Sequence, residues 1–99
     1  MGYNPGMSII HDKARGRFVL PLAAEGDEAV LRYDREEGVL DLYHVFVPPQ
    51  HRSRGHAGRL VIAAFDYARE QGLKVRPTCP FISGDFLPRF PQYQDLVER

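Results

Sequence analysis

The sequence predicts an α+β fold: an antiparallel meander of four strands, an amphipathic helix, a fifth strand parallel to the fourth, and a short C-terminal helix. Three observations predict it. Four β-favouring runs separated by turn-forming stretches fill residues 9–47. Leu60, Val61, Ala64, Phe65 and Ala68 then recur at helical spacing with Arg59, Asp66, Arg69 and Glu70 away from that stripe. A β-rich run at residues 73–78 comes next, and a strand–helix–strand connection of this length implies parallel pairing.

Taken in order, residues 1–7 hold Gly2, Pro5 and Gly6 without apolar periodicity, so a frayed tail is expected there and a single domain over 8–99. Residues 9–13 and 17–22 form a predicted hairpin that turns at Ala14-Arg15-Gly16, where glycine supplies a positive φ. Phe18, Leu20 and Leu22 share one face, and Pro21, which lacks a donor, suits a strand end. Glu25-Gly26-Asp27 marks a turn. Residues 29–34 alternate as a half-buried strand, and Arg35-Glu36-Glu37-Gly38 closes the next hairpin. Residues 39–47 are nearly all apolar or aromatic, which predicts burial on both faces and a central position. Pro48 and Pro49 stop that strand, and Gly72 stops the helix after the turn. In the last segment Ile82, Phe86 and Phe90 share a helical face, and Pro88 should end or bend the helix near Leu87.

The 99 residues carry 13 Lys and Arg against 13 Asp and Glu, so long-range attraction to nucleic acid or an anionic membrane is not expected and anion recognition has to be local. One cysteine excludes a disulfide within the chain. No signal-peptide core or run of ~20 apolar residues occurs, and a cytoplasmic location is expected. His51 and His56 flank a turn without a third ligand, so no metal site is expected.

The stretch with chemical content is Arg52-Ser53-Arg54-Gly55-His56-Ala57-Gly58, which leads straight into the helix. A helix N-terminus leaves about four N–H groups without intrahelical acceptors and attracts anions. Gly55 and Gly58 let backbone approach a ligand closely, and Arg52, Arg54 and His56 offer side-chain donors. A solvated loop at an ordinary helix start accounts for the same residues equally well. Neither common nucleotide loop is present, which weighs against ATP, GTP and dinucleotides.

Arg52-x-x-Gly55-x-Ala57 resembles the Gln/Arg-x-x-Gly-x-Gly/Ala turn of GNAT-type acetyltransferases, and it stands between a fourth strand and a helix as that fold requires. The wider string VPPQHRSRGHAGRLVIAAFDYAREQGLKVRPTCPF is similar to a small, single-cysteine subgroup of GNAT-like proteins, over residues 8–97. The resemblance implies that Arg52, Ser53, Arg54, Gly55, His56, Ala57 and Gly58 cradle the pyrophosphate of acetyl-CoA, that backbone at Val45 and Val47 meets pantetheine, and that Cys79 lies near the acetyl end.

Cys79 precedes Pro80, and proline favours the first helical position, so the thiol is expected at a helix N-cap, where thiolate is favoured. The resemblance implies that it accepts an acetyl group and passes it to an amine; direct attack by the amine, with Cys79 only positioned nearby, is the second route. Its other reading is a small core residue. His44, on the fourth strand, is the candidate base, since histidine titrates near neutrality; a structural histidine is the alternative.

The expected function is therefore acetyl-CoA binding with N-acetyl transfer to an unidentified amine, free or on a macromolecule. A non-catalytic CoA-binding module working with a partner protein is the second reading. A nucleic-acid or anionic-protein binding domain using His51, Arg52, Arg54, His56 and Arg59 is the weakest, given zero net charge. A monomer or weak homodimer is expected.

Overall fold

The computed structural model describes residues 8–22 and 26–98, so the expected tail and the first residue of the Glu25-Gly26-Asp27 turn lie outside the described residues. Five strands form one sheet in sequence order: β1 (Ile10–Asp12), β2 (Arg17–Pro21), β3 (Glu28–Glu36), β4 (Val39–Phe46) and β5 (Lys74–Arg76). The first four are antiparallel and β5 is parallel to β4. Helix α1 (His56–Gln71) makes the crossover between them.

The β1–β2 turn has no substitute for glycine. Gly16 sits at φ 63°, its carbonyl accepts from Tyr33 N at 2.9 Å, and a Cβ there would stand 2.7 Å from the Tyr33 carbonyl oxygen. The helix ends as its sequence predicts. Gly72 takes the left-handed conformation and its N–H reaches the Ala68 and Arg69 carbonyls.

All five residues of the α1 stripe are fully buried and meet Phe18, Leu20, Leu31, Leu40 and Leu42 from one face of the sheet. Phe86 closes the core from the C-terminal segment, with its ring 5.7 Å from that of Phe65. This burial of large apolar side chains is the main stabilising term of the fold.

The expectation that the fourth strand is buried on both faces is not met. Leu40 and Leu42 are buried, but Tyr43 and Phe46 are 43% and 42% exposed and His44 is exposed. Two causes act. The core packs on one face only, so the opposite row of Ile10, Val19, Val30 and Phe46 ends in exposed residues at both sides. In addition, Arg32 pairs with His44 while Tyr33 pairs with Leu42, so Tyr43 is an extra residue in a β-bulge.

Near Leu87, where the C-terminal helix is expected to end or bend, its winding changes, and it ends at Arg89. Residues 80–89 are helical throughout, and Ile82–Phe86 are wound as a π-helix immediately before the short α-helical turn Leu87–Arg89 that holds Pro88. Wider winding accommodates a residue that cannot donate and whose ring crowds the preceding turn. A 3-10 segment, Pro91–Leu96, follows, and Val97 then forms a parallel bridge to Val75, with Glu98 N donating to the Val75 carbonyl at 2.8 Å. Arg76 locks this end through Glu98 at 2.7 Å and Glu36 at 2.9 Å.

Candidate cofactor cleft beside the start of helix α1

β5 accompanies β4 only over Val39–Asp41. One further bond, from Cys79 N to the Leu42 carbonyl at 2.9 Å, closes the contact before the two arms diverge. β4 runs on toward Phe46, whereas the chain after Cys79 turns into its helical segment. Between them opens a cleft of about 620 Å³. Val45, Phe46 and Val47 form one wall, Phe81, Arg89 and Phe90 the other, and the loop into α1 with Arg59 and Ile62 forms the base and mouth.

The loop is held in shape by several devices. Pro49–His51 form a 3-10 turn, and His51 Nε2 and Gln50 Nε2 both meet Asp27 Oδ2, at 3.0 and 3.2 Å. Arg52 Nε donates to the Val47 carbonyl at 2.8 Å, and its guanidinium lies 5.7 Å from the centre of the Phe46 ring. Ser53 takes φ 65° and Gly55 φ 81°. A left-handed serine is an unfavourable conformation of the kind that clusters at functional sites.

Helix α1 begins without a side-chain cap, and its first turn of N–H groups faces this loop. No carboxylate pairs with Arg52, Arg54 or Arg59 among the described residues. Balanced overall charge thus coexists with a local excess of positive charge. His56 is 7% exposed, and its Nδ1 lies 2.8 Å from Arg59 Nη1. Guanidinium can only donate, so Nδ1 accepts and the imidazole is neutral with its proton on Nε2. Burial lowers the His56 pKa, and the charges of Arg59, His51 and Arg54 lower it further.

Of the residues singled out in the sequence, Val45, Val47, Arg52, Ser53, Gly55, His56, Ala57 and Gly58 line the cleft. Arg54 is exposed on the same loop without lining it. Cys79 is buried at the point where the arms part, and Ile82 N and Ser83 N donate to its carbonyl at 2.9 and 3.3 Å, so it occupies the N-cap position of the last helix. His44 stands outside the cleft, exposed and opposite Arg32 on β3. Residue-by-residue reading missed Phe81, Phe90, Ile62 and the Asp27 anchor. The apolar stripe of the last segment pointed to Phe90, whereas the Asp27 contact had no local signal.

Sequence comparison matches residues 17–96 to the family described as GCN5-related N-acetyl-transferase. The chain belongs to that family. Within it, Protein NATD1 of Homo sapiens is 40% identical over 92 residues, which cover 91% of this chain and 81% of the relative. Protein NATD1 of Xenopus tropicalis is 36% identical over 100 residues, covering 99% and 92%. The solution structure of a GCN5-like protein from Staphylococcus aureus superposes with a TM-score of 0.73 at 21% identity, covering 96% of this chain and 91% of that one, and it supports the fold alone. The family generally uses acetyl-CoA as co-substrate. Among the described residues of this member of the GCN5-related family, no three or more His, Cys, Asp or Glu side chains are grouped so as to hold a metal ion, and no helix is long and apolar enough to cross a membrane.

Proposed function

We propose that this protein binds acetyl-CoA in the cleft between β4 and the last helix and transfers the acetyl group to an amine. The observation that carries the reading is the join of two unlike halves in one cleft. Its mouth offers an uncapped helix start with Arg52 and Arg59 unpaired by any described carboxylate, while its walls are apolar through Val45, Val47, Ile62, Phe81 and Phe90. Pyrophosphate fits the first half. Pantetheine, whose chain is largely apolar between amides, fits the second, with the exposed edge of β4 from Tyr43 to Phe46 offering backbone groups to those amides.

Cys79 stands at the inner end of this arrangement. In the proposed two-step course its thiolate attacks the thioester carbonyl, the carbon–sulfur bond to coenzyme A breaks, and the coenzyme leaves as a thiol after taking up a proton. A deprotonated amine then attacks the acetyl-cysteine, which forms the amide and restores the Cys79 sulfur. His44, on the outer face at the bulge, is the candidate to take the amine's proton from an acceptor arriving on that side.

A specific observation favours the second reading, a CoA-binding module: neither Cys79 nor His44 lines the cleft. Intact mass after incubation with acetyl-CoA, together with coenzyme A release in the presence of an amine panel, separates the two. A single acetyl adduct that disappears in Cys79→Ala supports the covalent course. Calorimetric binding without adduct or amine-dependent release leaves the module, and absence of binding removes both.

A further inference from the structure

His56 is buried, yet one of its two ring nitrogens has no partner among the described residues. Nδ1 accepts from Arg59, whereas Nε2, which carries the proton, makes no hydrogen bond among the described residues. No described buried side-chain polar atom is left unsatisfied, so Nε2 has to reach open surface, and for a residue that lines the cleft that surface is the cleft. A neutral donor is therefore aimed into the site with its tautomer set by Arg59.

The cations divide into two groups. Arg52 is tied to the Val47 carbonyl and the Phe46 face, on the β4 side of the loop. Arg59 Nη1 lies 2.8 Å from His56 Nδ1, Arg54 is exposed two residues earlier on the same loop and its charge also lowers the His56 pKa, and neither arginine pairs with a described carboxylate. Two uncompensated like charges repel, and an anion carrying two negative charges relieves that repulsion. A pyrophosphate diester carries one charge on each phosphorus and is met by Arg52 and the first N–H groups of α1. A phosphomonoester, close to dianionic at neutral pH, suits the second group.

We propose that Arg59, positioned by His56 and assisted by Arg54, forms a second phosphate subsite that takes the 3′-phosphomonoester of coenzyme A, so that this protein discriminates coenzyme A from its 3′-dephospho form. This rests on the coenzyme A reading given above. Arg59 is the specificity-determining residue, and His56 both donates from Nε2 and holds the guanidinium in place.

Calorimetric titration of the whole chain with coenzyme A, 3′-dephospho-coenzyme A, adenosine 3′,5′-bisphosphate and inorganic phosphate tests it. The wild type should bind coenzyme A about tenfold more tightly than the dephospho form, the scale of one charge-assisted contact. Arg59→Gln, an exposed position, should bring that ratio near one by weakening coenzyme A more than the dephospho form. His56→Leu, which removes the acceptor for Arg59, should shrink the ratio, and a long-range nitrogen–proton spectrum of the wild type should show the Nε2-protonated tautomer. A wild-type ratio of one with both coenzymes bound overturns the subsite and leaves the coenzyme A reading standing. Equal weakening of both coenzymes by Arg59→Gln assigns Arg59 to the pyrophosphate and also overturns it. Failure of both coenzymes to bind removes the coenzyme A reading itself. Inorganic phosphate binding as tightly as the bisphosphate would show free phosphate to be the ligand.

Discussion

The amide of Cys79 donates to the Leu42 carbonyl at 2.9 Å, and with that bond the pairing of the two arms of the sheet ends. Because the backbone makes the bond, the position of residue 79 survives loss of its sulfur. Cys79→Ala should therefore fold normally, cost about 1 kcal/mol and lower Tm by roughly 4–8 °C. Calorimetry checks the cost and mass spectrometry the chemistry, so a lost adduct in a folded variant would be a chemical effect.

Gly55 and Gly16 both have positive φ but face different surroundings. A Cβ at Gly55 meets nothing within 4 Å, whereas one at Gly16 meets the Tyr33 carbonyl oxygen at 2.7 Å. Gly55→Val should cost about 1–2 kcal/mol in backbone strain and weaken coenzyme A binding tenfold or more by obstructing the loop. Gly16→Ala should cost about 2–4 kcal/mol and leave binding unchanged. Chemical denaturation and titration of both variants decide, and equal effects of the two on binding would contradict the assignment of the loop.

Arg52 is held through Nε, which lysine lacks. Arg52→Lys should therefore weaken coenzyme A binding nearly as much as Arg52→Gln does, about three- to tenfold. Full rescue by lysine, read by titration, would reduce the role of Arg52 to that of a point charge.

Two histidines make stability depend on pH. His11 Nε2 lies 2.6 Å from the Tyr33 hydroxyl and its ring stacks on Phe18 at 4.0 Å. Burial lowers its pKa from 6.5, the Lys13 charge lowers it further, and Asp12 opposes both. His56 is lowered from the same value, by burial first. Below pH 6.5 the unfolded chain takes up protons that the folded chain refuses, so stability is full above that pH and falls as pH drops through it until the folded groups protonate. The carboxyls of Asp12, Asp95 and Glu98, each held below its ordinary value, titrate lower still. Tm should decline between pH 7.5 and 5.5, and less steeply in His56→Leu; a rise on acidification would refute the sign.

Much of this architecture was legible in local spacing. The stripe of Leu60, Val61, Ala64, Phe65 and Ala68 marked its buried face because a helix repeats every 3.6 residues whatever it packs against. Gly16 and Gly72 marked chain reversals because few other residues tolerate their φ. The loop from Arg52 to Gly58 could be singled out because glycines and arginines before a helix carry meaning by themselves. His56 and Arg59, three apart on a helix, were within reach of the same reasoning, but spacing shows only that they are neighbours and not that one is buried.

By itself the sequence determined the order and type of the elements, the glycine turns and the helix face, since each follows from backbone geometry over a few residues. Tertiary structure decided what those elements enclose. The exposure of Tyr43, His44 and Phe46, the left-handed Ser53, the Asp27 anchor under His51 and the place of Cys79 all depend on where β5 stops pairing and which sheet face the helices cover. These are contacts between residues distant in the chain, and hydrophobic burial, being non-directional, records in a strand's composition that it will pack but not on which side or for how far.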